Sequence, residues 1–75
     1  MTGDSHRPAI DCLGKPCPLP VIELARALAG VELGEAVTLL ADDPAAASDI
    51  AAWCRMRGQR LERAEPPSYT VVRVS

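Results

Sequence analysis

The residues best suited to chemistry in this chain are gathered in one short run, Lys15-Pro16-Cys17-Pro18-Leu19-Pro20. A thiol is a useful nucleophile only as the thiolate, and a helix N-terminus favours that anion through unpaired N–H groups and the positive end of the helix dipole. Pro18 has no N–H and a fixed φ, so it can open a helix at once and leave Cys17 near the N-cap, exposed on a loop. Pro20 still falls within the first turn, where its missing N–H removes no intrahelical bond. Pro16 disfavours helical backbone at Lys15, and Pro18 does the same for Cys17, so the chain is stiffened on both sides of the sulfur. Lys15, two residues from Cys17, could add a positive charge that stabilises a thiolate or a persulfide. The competing reading of Lys15 is an ordinary solvated loop lysine.

What surrounds this thiol is as informative as the thiol itself. Nucleophilic catalysis normally needs a base within hydrogen-bond reach, and the one histidine, His6, lies in the polar stretch Met1 to Pro8, which reads as a flexible arm. No paired carboxylates, phosphate-cradling glycine loop or metal-ligand spacing stands elsewhere, so no cofactor and no metal are expected. Cys17 therefore reads as a site that carries a group while partners supply the catalysis. Three cysteines make an odd set, which suits a reducing compartment better than a disulfide framework. Cys12, five residues before Cys17 across a turn containing Gly14, could act as a resolving thiol for a group held on Cys17 or close a regulatory disulfide, but it reads in preference as a plain strand-end residue. Cys54 reads as a small core hydrophobe. A zinc site using Cys12, Cys17, Cys54 and His6 is disfavoured, because Cys54 faces a core stripe and His6 lies in a tail.

The elements that must position Cys17 follow from periodicity. Ala9 to Cys12 is a short strand, broken by Leu13-Gly14-Lys15-Pro16. Val21, Leu24, Ala25 and Leu28 recur at i, i+3, i+4 and i+7, the pattern of an amphipathic helix running to Ala29, with Gly30 as its stop. Ala36 to Ala41 is a β-compatible apolar run that reads as a central buried strand. Asp43 can cap a second helix and Pro44 suits its first position; the helix runs to about Arg57 with a core stripe of Ala47, Ile50, Ala51 and Cys54, and ends at Gly58. Trp53 lies off that stripe and reads as edge packing against a sheet in preference to a partner contact. Gln59 to Ala64 and Tyr69 to Val74 are two last strands, joined as a hairpin through Glu65-Pro66-Pro67-Ser68.

The order β-α-β-α-β-β predicts an α/β fold, a two-layer sandwich in which a four-stranded mixed sheet carries two helices on one face. At 75 residues this is a single domain over 9–75 preceded by the arm 1–8, with an aliphatic core drawn from an apolar content of 48% that includes no Phe, one Trp and one Tyr. The net charge of −2, with both signs spread along the chain, supplies no basic stripe for phosphates, so direct nucleic-acid binding is not expected. No apolar run reaches the roughly 20 residues needed to span a bilayer, and the first residues lack a signal-peptide core, so a cytoplasmic protein with no membrane partner is expected. The uncovered sheet face leaves a monomer or a weak dimer open.

The run Asp11-Cys12-Leu13-Gly14-Lys15-Pro16-Cys17-Pro18-Leu19-Pro20 closely resembles the signature of the TusA/SirA family of sulfur carriers, whose hallmark is a C-P-x-P motif. The block Ala41-Asp42-Asp43-Pro44, through Ser48-Asp49-Ile50 to Trp53-Cys54, is similar to that family as well, and together the two cover most of the chain. The resemblance implies the same β-α-β-α-β-β sandwich. It also implies that Cys17 carries sulfane sulfur as a persulfide, received from a cysteine desulfurase or a rhodanese-like donor and passed to a downstream sulfurtransferase. The destinations it implies are tRNA thiolation, cofactor synthesis or sulfur oxidation. Gly14, Lys15, Pro16, Pro18 and Pro20 would then shape the site. Asp42 and Asp43 would either bind partner cations or simply cap the second helix. The alternative is a non-catalytic regulatory module that binds proteins through its open sheet face or edge.

Overall fold

The computed structural model describes residues 9–16 and 18–75; the expected arm 1–8 and Cys17 lie outside the described residues. Six elements follow in order: β1 (Ala9–Cys12), α1 (Leu19–Ala29), β2 (Ala36–Ala41), α2 (Ala46–Arg57), β3 (Arg60–Glu65) and β4 (Ser68–Val72). They form the expected mixed sheet, with strand order β1-β2-β4-β3. β1 and β2 are parallel, with Ile10 opposite Leu39 and Cys12 opposite Ala41. β4 is antiparallel to both of its neighbours, β2 and β3. β3 therefore runs in the same sense as β2, and β4 is inserted between them at the end of the second crossover.

Side-chain alternation decides which face is covered. Val37, Leu39 and Ala41 are buried on β2 while Ala36, Thr38 and Leu40 between them are half-buried. Tyr69 and Val71 continue the buried row on β4, and Leu24 and Leu28 of α1 and Ile50 and Cys54 of α2 close over it in one cluster. This is the period of two meeting the period of 3.6 on a shared apolar layer. Val21, Trp53 and Leu61 pack at its margin.

Three boundaries differ from the sequence reading. Pro44 is not the first helical residue: Asp43 Oδ1 accepts from Ala45 N at 2.8 Å and Asp43 O accepts from Ala46 N at 2.9 Å, so the chain makes a full turn first and α2 opens at Ala46. The inward stripe is accordingly Ala46, Ile50 and Cys54, and Ala47 is exposed. At the other end Gly58 takes the left-handed conformation (φ +75°), its N–H and that of Gln59 both bonding Cys54 O. This helix closure uses Gln59, so β3 begins at Arg60. β4 ends at Val72 because β2 begins at Ala36; beyond it Arg73 pairs with the Gly34-Glu35 turn, and the Gln59 side chain holds Val74 N.

Candidate functional site

The chain enters the site from the C-terminal end of β1. Asp11 Oδ1 accepts from Leu13 N at 3.0 Å, and Cys12 O accepts from Lys15 N at 3.1 Å, which folds Leu13-Gly14 into a tight turn. Gly14 adopts φ +80°, a conformation that costs a residue with a Cβ roughly 1 kcal/mol or more. Its N–H donates to Asp42 Oδ1 at 2.9 Å across 28 residues of sequence. The parallel pairing explains this contact. It sets the C-terminal ends of β1 and β2 side by side, so the first residue after β2 stands next to the turn after β1.

From the turn the chain passes through Pro16 into α1. Leu19 N donates to Pro16 O at 3.0 Å, and Ile22 N donates to Pro18 O at 3.1 Å as the helix begins. Pro18 is thus the cap residue and not the first helical one, and Pro20 is buried in the first turn. No acidic side chain stands in that turn, so the positive end of α1 is not compensated from within the helix. Cys17 lies outside the described residues; Pro16 and Pro18, to which it is bonded, are both exposed.

Cys12 and Cys54 are buried free thiols, at 0% and 2% exposure. Burial pushes the Cys12 thiol above its ordinary value of 9.0, with Glu23 and Asp11 adding to the rise and Lys15 partly opposing it. Burial alone pushes Cys54 up. The folded state therefore keeps both protons at a pH where the unfolded chain begins to lose them. Their contribution to stability is complete below pH 9.0 and is lost as the pH rises further. Urea midpoints measured from pH 8 upward are expected to fall above about pH 9, and to fall less in a Cys54→Ala variant.

The family model for sulfurtransferase TusA matches residues 9–75, nearly the whole chain. The chain belongs to the TusA family. A relative from Archaeoglobus fulgidus, named as a candidate sulfur carrier protein, is 42% identical over 64 residues, covering 85% of this chain and 83% of its own. One from Neisseria meningitidis with the same description is 40% identical over 52 residues, covering 69% and 70%. The crystal structure of a SirA-like protein from Desulfitobacterium hafniense superposes with a TM-score of 0.76 at 32% identity, covering 89% of this chain and 97% of that one.

In this TusA-family chain the two sequence blocks that carry the signature meet where Cys12 lies opposite Ala41 on the paired strands, and the bond from Gly14 N–H to Asp42 extends that meeting into the loops. Asp42 therefore has a positioning contact that reading along the sequence did not reveal; the signal was the pairing of a D-x-x-G turn with an A-D-D-P exit on adjacent parallel strands. Asp43 serves the turn before α2. Lys15 is exposed, as are Leu13, Leu19 and Ile22 around the loop. Among the described residues no group of three or more His, Cys, Asp or Glu is placed to hold a metal, and no helix is long and apolar enough to cross a membrane. Asp42→Ala is expected to speed hydrogen exchange at the Gly14 amide while Asp42→Asn, which keeps an acceptor, largely preserves its protection. Equal exchange in all three proteins would show that the bond does not hold the loop.

Proposed function

We propose that this protein is a sulfur carrier that holds sulfane sulfur as a persulfide on Cys17. The observation that supports this most is the approach to α1: a turn tied to Asp42, then Pro16, and Pro18 as the cap of a helix with no acidic side chain in its first turn. Such a setting favours an anionic sulfur without needing a base. Membership of the TusA family and relatives described as candidate sulfur carriers point the same way.

The chemistry is thiol–persulfide exchange. The Cys17 thiolate attacks the terminal sulfur of a donor persulfide; the donor S–S bond breaks, the donor leaves as a thiolate, and Cys17 becomes the persulfide. An acceptor thiolate then attacks that terminal sulfur, and the Cys17 thiolate leaves. Each step is redox-neutral, since one zero-valent sulfur moves between thiols. Lys15 supports the anionic forms, and Gly14, Pro16, Pro18 and Pro20 fix the approach. The buried Cys12 serves packing in preference to resolving the persulfide. The donor is a cysteine desulfurase or a rhodanese-like protein, and the acceptor is a sulfurtransferase of tRNA thiolation, cofactor synthesis or sulfur oxidation. Relay of radiolabelled sulfur from a desulfurase to an acceptor thiol protein tests this. Acceptor labelling should depend on the chain, and labelling at the same rate without it would overturn the proposal.

A further inference from the structure

At the far end of α1 lies a second feature that the sulfur chemistry does not use. An open cleft of about 370 Å³ is formed between the C-terminal halves of α1 and α2 and the segment after β4. Ala25, Leu28 and Ala29 of α1 and Trp53 and Arg57 of α2 line it, together with Gln59 and with Arg73 and Ser75 from the segment after β4. The chain carries a net charge of −2, yet two guanidinium groups border this cleft and, among its described lining residues, no side-chain carboxylate does.

The two arginines differ in how they are held. Arg73 is half-buried and anchored, Nη1 donating to Val31 O at 2.6 Å and Nε to Ser75 O at 3.2 Å, which leaves its remaining N–H groups for another acceptor. Arg57 is exposed. Gln59 accepts from Val74 N and donates to Ser75 O, tying the segment after β4 to the end of α2. Trp53 is half-buried and presents an aromatic surface beside the cations. Arginine and tryptophan around a small-residue wall are the composition of a protein-binding hot spot, and planar guanidinium groups favour carboxylates. The cleft is open, and large apolar residues stand exposed next to the arginines in sequence, Met56 at 76% and Val74 at 48%. These features suit a chain segment better than an enclosed small molecule.

We propose that this cleft binds an acidic segment of a partner protein, a carboxylate side chain lying between Arg57 and Arg73 and a neighbouring apolar side chain against Trp53. The cleft's lining on α1 runs from Ala25 to Ala29, roughly 10–17 Å along the helix from Pro18. A partner held there leaves the Pro16–Pro18 end free for exchange with a second protein. The inference stands on the cleft alone and does not require the sulfur-relay reading.

Trp53 is the single tryptophan of the chain, so its emission reports on this cleft directly. The full-length protein should be titrated with an end-blocked peptide Leu-Glu-Leu-Glu-Leu, with its Leu-Gln-Leu-Gln-Leu counterpart, and with sodium sulfate, following fluorescence and calorimetry together. The acidic peptide is expected to bind saturably and the amide peptide not. Arg57→Gln should weaken binding about fivefold, and added salt should weaken it further. Equal binding of the amide peptide, an unchanged affinity in Arg57→Gln, displacement by sulfate at concentrations as low as the peptide's, or no binding by either method would overturn the proposal.

Discussion

Replacing Cys17 by Ser is expected to reduce sulfur relay to the background seen without the protein, while the fold and its urea stability stay within about 0.5 kcal/mol of the parent. A hydroxyl at position 17 leaves the loop chemistry unchanged in shape but cannot form a persulfide, so every turnover stops at the first attack. The other two thiols give the contrast. Cys12 and Cys54 are buried, and burial holds both in the protonated form, the reverse of what an exchanging thiol needs. Cys54→Ala should therefore keep its relay rate while losing stability. Alkylation at pH 8 should likewise modify one cysteine in the folded protein and three after urea unfolding, with peptide mapping placing the fast site at Cys17. Rapid modification of Cys12 in the folded state would contradict the assignment of roles.

The largest effect on stability is expected from Leu24→Ala. Leu24 is fully buried, on the face of α1 that closes over Val37, Leu39 and Val71. Truncation removes a branched side chain from a core with few large residues, at a cost of about 2–5 kcal/mol. A domain of this size has a total stability of roughly 4–11 kcal/mol, so the variant should be partly unfolded at modest urea concentrations. Urea titration followed by far-ultraviolet circular dichroism measures this directly. A shift equivalent to less than about 1 kcal/mol would mean that the helix–sheet interface is looser than its burial implies.

Much of this architecture is legible from the sequence because the periodic signals are undisturbed. The run Ala36 to Ala41 reads as a central strand and forms one, alternating half-buried and buried residues along its whole length. Leu24 and Leu28 point inward as the helical spacing requires. The reading fails where short polar side chains compete for the backbone. Asp43 draws Ala45 and Ala46 into a turn, delaying α2 and moving Ala46 into the core in place of Ala47. The helix C-terminus at Gly58 similarly claims Gln59 from the strand that follows.

At the candidate site, the proline-rich run stands out in the sequence because proline restricts its neighbours locally, without help from the rest of the fold. The tether from Asp42 to Gly14 was not, since it joins residues 28 apart and depends on the parallel register of β1 and β2. The cleft around Trp53 and Arg57 was hidden for the same reason. Ala25 and Arg73 become neighbours of Trp53 only when both helices pack on one face of the sheet.

The most direct measurement is the intact mass of the protein after incubation with a cysteine desulfurase and cysteine, followed by peptide mapping. The expected result is a gain of one sulfur atom, removed by reductant, located on the peptide that contains Cys17 and absent from Cys17→Ser. An added sulfur that persists in Cys17→Ser would contradict the central claim, as would no gain with either a desulfurase or a rhodanese-like donor.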